Sequence, residues 1–233
     1  MKKLIFIVLT VFCVSLTFLN ADVYIKNETK STMKQMPTSY AETWVGKNKV
    51  ANITPQQTFI IDMDAKKVVF IYPAKKTYVE ATLPLDMSKL IPAQMAGMMQ
   101  GMMSQMTVSV TPNGKTKKVL NYDCKGYNIS MKVMGMDTKS TTWATTNLPF
   151  DWKSFFPIYK EMMKGLSFNL PEAALKEMMK IEGYPMSQEN TVMGITTTIT
   201  VIEINPNKVA PAGVYSVPAG FTKKPMLDFG GMK

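Results

Sequence analysis

Histidine and arginine are both missing from this chain of 233 residues. Without histidine there is no serine–histidine or cysteine–histidine catalysis, no imidazole base and no histidine-ligated zinc. Without arginine, all 27 basic residues are lysines, and the bidentate phosphate and guanine contacts of nucleic-acid binders have no donor. Cysteine is scarce as well, with Cys13 and Cys124 the two in the chain. Cys13 lies in a leader expected to be removed, and Cys124 alone makes neither an intramolecular disulfide nor a thiolate zinc cluster. A non-enzymatic protein with no cofactor and no nucleic-acid partner is what these absences leave.

What is present begins with that leader. Lys2 and Lys3 precede a charge-free, mostly apolar run over 4–19, and Leu19-Asn20-Ala21 offers a cleavage point after Ala21. This is the layout of a secretory signal peptide over 1–21, and it implies an exported, periplasmic protein. Removal of Lys2 and Lys3 takes the net charge from +10 to +8. A lysine-rich surface is first of all solvated. Its functional alternative is attraction to an anionic membrane surface, at roughly 1 kcal/mol per lysine close to the head groups. No linker divides residues 22–233, so a single domain is expected, with 222–233 a flexible tail.

Over 40–83 short β-prone runs such as TFIID and KVVFIY alternate with polar turns, as in consecutive hairpins. In 77–83, Thr77, Val79, Ala81 and Leu83 share one face. Strands are expected again at 107–111 and, after a turn at Pro112-Asn113-Gly114, at 117–122. The strand over 125–134 is the clearest, with Tyr127, Ile129, Met131 and Val133 opposed to Asn128, Ser130 and Lys132. Thr138 to Thr146 folds back on it. A helical pair follows near 152–164 and 171–182, closed by Gly183, and 184–187, 194–204 and 214–217 read as final strands. Strands interrupted by grouped helices make the fold class α+β, mainly β. A long antiparallel sheet curls, and its concave side needs a cover.

The most unusual segment is 86–106. Met95, Met98, Met99, Met102, Met103 and Met106 recur at helical spacing, leaving Gln94, Gly97, Gln100 and Gly101 off the stripe. Such a stripe is what any core-facing helix shows. Methionine is also unbranched and polarizable, however, and suits surfaces that adapt to varied apolar partners. Soft thioethers select Cu(I) too, and Met95, Met98 and Met102 would stack their sulfurs on one face. Cys124, at the edge of a strand, reads as a small buried hydrophobe. Asp62 and Asp64 in DMDAKK read as turn residues and not as a metal pair.

The segments IIDMDAKKVVFIYPAKKTYVE, KKVLNYDCKGYNISM, TTWATTNLP, IEGYPMSQE and VYSVPAGFTK occur in this order. Together they resemble an exported bacterial family catalogued as domain of unknown function 4412, over roughly residues 40–223. That family is similar in layout to the LolA/LolB-type periplasmic lipoprotein carriers. The likeness implies a strongly curved antiparallel sheet, an open half-barrel, with helices covering its concave face and an apolar cavity beneath them. The expected ligand is a lipid, a lipidated protein or a hydrophobic peptide. Its site would combine Met95, Met98, Met99, Met102, Met103 and Met106 as a lid with Tyr127, Ile129 and Met131 as a wall. The alternatives are an envelope protein binding Cu(I) through Met95, Met98 and Met102, and a structural envelope protein with no ligand.

Overall fold

The computed structural model describes residues 22–155 and 171–228. The leader, most of the helix expected over 152–164 and the last five residues lie outside the described residues. Trp152–Phe155, the part that is described, forms a 3-10 turn.

Twelve strands form one sheet in the order β12-β6-β5-β4-β3-β2-β1-β11-β10-β9-β8-β7. The first meander contains β1 (Asp22–Ser31), β2 (Ser39–Val45), β3 (Lys49–Ile53), β4 (Thr58–Asp62), β5 (Lys67–Tyr72) and β6 (Thr77–Thr82). The second contains β7 (Thr107–Val119), β8 (Tyr122–Val133), β9 (Met136–Thr145), β10 (Tyr184–Val192) and β11 (Ile195–Lys208). Antiparallel pairing of β1 with β11 fuses the two meanders, and β12 (Thr222–Lys223) runs parallel to β6. Among the described residues the sheet stays open, with β7 and β12 as its edges. Among the described residues the α-helices are α1 (Ala93–Ser104) and the short α2 (Glu172–Met178).

Around β4 and β5 both faces are buried, which is why these two strands read as near-continuous apolar runs. One face carries Ile61, Val68, Phe70 and Val79 under Met87 and Leu90. The other carries Tyr24, Trp44, Ala51, Ile60 and Ile71 under Val214, Tyr215, Val217 and Phe221. The covers are the segments 83–91 and 209–221. The first holds a short 3-10 turn where helices were expected to cover the sheet, and the second packs as turns with no strand at 214–217, where one was expected. Each fully buried Ile, Val or Phe contributes about 1.5–3 kcal/mol relative to exposure.

Three expectations change. The strand β1 was not read from the sequence, yet it lies at the centre of the sheet. Pro112-Asn113-Gly114 is a bulge within one long strand, since pairing with β8 resumes at Thr116 after a register shift. The Asn113 side chain accepts the Lys115 N–H at 2.9 Å, Gly114 takes φ +70°, and proline's missing donor is tolerated on an edge strand. Finally, 222–228 is tied down. Lys224 N–H donates to Tyr78 O at 2.7 Å and Leu227 N–H to Leu90 O at 2.8 Å, and Lys75 pairs with Asp228.

Gly183 ends the α2 region for a reason beyond helix stopping. Its φ is +105°, and a Cβ there would stand 2.3 Å from the Thr145 carbonyl oxygen. Gly183→Ala therefore combines a strained backbone with a backbone clash, and is expected to cost about 2–3 kcal/mol. Thermal unfolding should show the midpoint falling by roughly 5–10 °C.

The start of β1 is fastened by a polar contact: the Tyr215 hydroxyl donates to Asp22 Oδ2 at 2.6 Å, and Asp22 is 8% exposed. Burial, reinforced by that carboxylate, pushes the Tyr215 phenol well above its ordinary value. Burial also raises Tyr24, with Glu42 adding to the effect, to about 12. A raised phenol stabilises the fold fully below its unfolded value of 10.0 and loses that contribution as pH climbs through the folded one. Tyr215→Phe is expected to lose about 1–2 kcal/mol at neutral pH by stranding a buried carboxylate. In urea titrations above pH 10 its stability should then fall less steeply than that of the parent chain.

Candidate apolar binding site

The approach to α1 is well anchored. A 3-10 turn over Met87–Lys89 is capped by Asp86, whose Oδ1 accepts from Ser88 N at 3.1 Å and from Ser88 Oγ at 2.6 Å. Met87, Leu90 and Ile91 are buried. The helix that follows is the opposite. Alanine, methionine and glutamine favour a helix, but Gly97 and Gly101 each cost about 1 kcal/mol, and a Cβ at either would meet nothing within 4 Å. Pro92 at the N-cap offers no side-chain cap, and neither end carries a charge that complements the helix dipole. A lone helix of 12 residues is marginal in water, so α1 is held by its flanks more than by itself.

None of its residues is buried. Met95, Met99, Met102 and Met103 are half-buried, and Met98 is 61% exposed. Met106, just past the helix, is the buried member of the predicted lid. The candidate Cu(I) trio Met95, Met98 and Met102 thus lies wholly on the unburied helix.

The predicted wall does not form one surface with this lid. Tyr127 and Ile129, 3% and 5% exposed, pack with Val110 and Ala144 beneath Met178 and Ile181. The Tyr127 hydroxyl accepts the Glu182 N–H at 3.3 Å, and Glu177 Oε2 accepts the Val110 N–H at 3.0 Å. These two side chains are core, closed off by α2 and its C-terminal continuation. Met131 differs: it is half-buried and sits opposite Val108, two residues beyond Met106. The structure therefore brings Met131 towards the C-terminal end of α1 and consigns Tyr127 and Ile129 to another cluster. The alternation over 127–133 groups Tyr127 and Ile129 on the face that is buried, but by itself it specifies neither which face points inward nor which helix covers it.

The other candidates resolve simply. Cys124 is fully buried, its thiol raised by burial and its Sγ directed to the Tyr122 carbonyl at 3.5 Å. Asp62 caps its hairpin by accepting from Ala65 N at 2.9 Å and pairs with Lys49 at 2.8 Å. Burial alone would raise that carboxyl, but these contacts outweigh it and hold it low. Asp64 accepts from Asn48 Nδ2 at 2.8 Å. An open cleft of about 400 Å³ lies between Tyr72, Thr77 and the 224–228 segment, whose Leu227 bonds Leu90 just before α1 begins.

Exposed methionines also lie outside α1. Met33, Met36, Met134, Met136 and Met193 are 41–88% exposed. Met33 and Met36 stand in the β1–β2 loop, Met134 and Met193 at hairpin tips, and Met136 is the first residue of β9, places where helix and strand periodicity gives little signal.

Among curated proteins none matches this sequence. Two solved structures are similar at low scores. One is described as the structure of PNGF-II, with a TM-score of 0.43 and 11% identity over 88% of this chain. This chain spans only 31% of that protein's length. The other is the LolA superfamily protein NE2245 from Nitrosomonas europaea, with a TM-score of 0.31, 7% identity, and coverage of 85% of this chain and 91% of that one. A family model matches residues 19–221, and the chain belongs to that family, described as a domain of unknown function, DUF4412.

Proposed function

We propose that this is a non-enzymatic periplasmic protein that holds an apolar ligand (a lipid, a lipidated protein or a hydrophobic peptide) against the methionine face of α1, above the concave side of a curled sheet. The observation that carries this reading is the state of α1: five methionines at helical spacing, none of them buried. Apolar surface of this kind that the core leaves unused marks an interaction site, and thioethers suit a ligand of variable shape.

Two distances favour a curled sheet. Leu90 packs against β4, β5 and β6, whereas Thr107 opens β7 at the opposite edge. A 12-residue helix and a few extended residues reach about 35 Å, and eight to ten strand spacings of a flat sheet come to about 40–48 Å. Lys117 on β7 also reaches past β8 and β9 to Glu189 on β10, at 3.1 Å. On a flat sheet those strands stand about 14 Å apart. Both facts fit a sheet rolled so that α1 bridges its edges.

The non-enzymatic part of the reading rests on chemistry. Histidine is absent, and burial of Cys124 keeps its thiol protonated and out of reach. Among the described residues no group of three or more Cys, Asp or Glu could hold a metal ion. Export rests on the leader.

Native mass spectrometry of protein released gently from the cell envelope should show an added lipid- or peptide-sized mass. Met99→Asp with Met102→Asp is expected to lose that mass while the unfolding free energy from urea titration changes by less than about 0.5 kcal/mol, because neither side chain is buried. Replacing Met95, Met98 and Met102 by leucine should keep the mass; if instead it abolishes tight Cu(I) retention, the copper reading takes its place. A protein that never carries a guest, in parent and variants alike, would leave only the structural role.

A further inference from the structure

The sheet register gathers five of the exposed methionines outside α1 at one end of the molecule. The β1–β2 loop, the β10–β11 turn and the β8–β9 turn all lie at the end where β7 begins, because Thr32 N bonds Thr196 O at 2.9 Å, Thr191 pairs with Lys139, and Thr107 pairs with Lys132. On these tips Met33 is 41% exposed, Met36 53%, Met134 58%, Met136 57% and Met193 88%. Five exposed methionines on three neighbouring tips form an apolar rim, unlike the scattered single apolar residues of an ordinary surface.

Two of them also break a local rule. The β8–β9 and β10–β11 turns have two residues each, Met134-Gly135 between paired Val133 and Met136, and Met193-Gly194 between paired Val192 and Ile195. Both central residues take positive φ, +48° and +81° in the first turn and +49° and +80° in the second. That is the type I′ pattern, in which Asn-Gly or Asp-Gly is favoured at the tip. Methionine gains nothing there from the fold: it has no side-chain bond to its own backbone, suffers a steric penalty at positive φ, and leaves its side chain in water. Twice on the same edge, turn chemistry is overruled in favour of an exposed flexible apolar side chain.

Lysines outnumber acids around the tips. Lys34, Lys132 and Lys139 are exposed, and Lys30 is 63% exposed beside Glu28. Within the tips the one acid is Asp137. Spacing decides between a shared ion and a surface. From the β1–β2 loop to the β8–β9 tip there are four strand spacings, about 19 Å. Sulfurs sharing one metal must each come within about 2.3 Å of it, so three tips in a row do not converge on an ion. They suit a plane.

We propose that the methionine-tipped hairpins at this end dock the protein on an anionic phospholipid bilayer, the methionines entering the head-group boundary and the lysines meeting the phosphates. Interfacial segments that pair apolar and lysine side chains bind anionic lipid in this way. The surface is built from the hairpin tips and not from the α1 methionines, and it does not require them to hold a ligand.

The test is co-sedimentation of the purified full chain with vesicles of phosphatidylglycerol and phosphatidylethanolamine, and with vesicles of phosphatidylcholine alone. Binding is expected to the anionic vesicles and to weaken with salt. Met134→Asn with Met193→Asn should lower it by about tenfold or more. Because asparagine suits positive φ, the double variant should unfold at the same urea concentration as the parent or higher. Leu120→Asn alters an exposed residue, also at positive φ, in the β7–β8 turn at the opposite end, and should leave vesicle binding unchanged. Met99→Asp with Met102→Asp should leave it unchanged too, so that failure of the ligand reading and failure of this one are told apart. The proposal is overturned if the parent ignores anionic vesicles, if the asparagine pair binds them as the parent does, or if that pair abolishes self-association in velocity sedimentation while vesicle binding persists.

Discussion

The ladder between β1 and β11 is the contact on which the rest of the architecture depends. Each meander can form by consecutive hairpins, but neither covers its own faces. Pairing Asp22 with Lys208 at one end and Ser31 with Thr197 at the other joins them into one sheet. Only then does the cluster of Val23, Ile25, Val45, Val119, Cys124, Met186 and Val201 exist, because its members come from both meanders. The ladder closes a loop of well over a hundred residues. The entropy of that closure grows only logarithmically with length, whereas the pairing rewards every residue along it. The costs of such topology fall on folding speed more than on stability.

Its lower end is fastened by side chains of several kinds. Lys208 Nζ stands 3.3 Å from the Tyr24 ring centroid and 5.5 Å from that of Trp44, and Tyr24 and Trp44 are themselves 4.7 Å apart. Beside them the Tyr215 hydroxyl holds Asp22, and a Cβ on Gly46 would sit 3.3 Å from both groups. These contacts draw together the first strand, the end of the eleventh and the segment after it. The 209–221 cover is therefore bound to the sheet at the point where the two halves meet.

How much of this was legible depended on whether a feature is local. The hairpins of 40–83 and the alternation of Tyr127, Ile129 and Met131 could be read because a strand's side-chain period and its turn residues are written in adjacent positions. The strand β1 could not. Its apolar part is the three residues Val23, Tyr24 and Ile25, and the remainder, Lys26 to Ser31, is polar. It becomes a central strand because β2 and β11 flank it, which is a long-range fact. Pro112-Asn113-Gly114 looked like a turn because the same residues make turns and bulges; only the continued pairing with β8 distinguishes them. For the site, spacing placed Met95, Met98, Met99, Met102 and Met103 on one helix but could not say what they face, and they were paired with Tyr127 and Ile129, which α2 covers.

The places where local rules fail are themselves ordered. α1 has two unsupported glycines, no cap and no buried residue, and it leads through Met106 into the end of the sheet where Met134 and Met193 occupy turn positions suited to asparagine. At the opposite end, the polar and aromatic contacts around Asp22 and Lys208 are fully satisfied. Sequences that fold well agree with themselves at every level, and departures gather where something other than folding is served. Here a rigid junction and a loosely built, methionine-rich rim lie at the two ends of the same strands. A partner meeting that rim would not have to disturb the β1–β11 ladder. Stability and contact are thus divided along the strand axis, and the exposed methionines can change without loss of the fold that presents them.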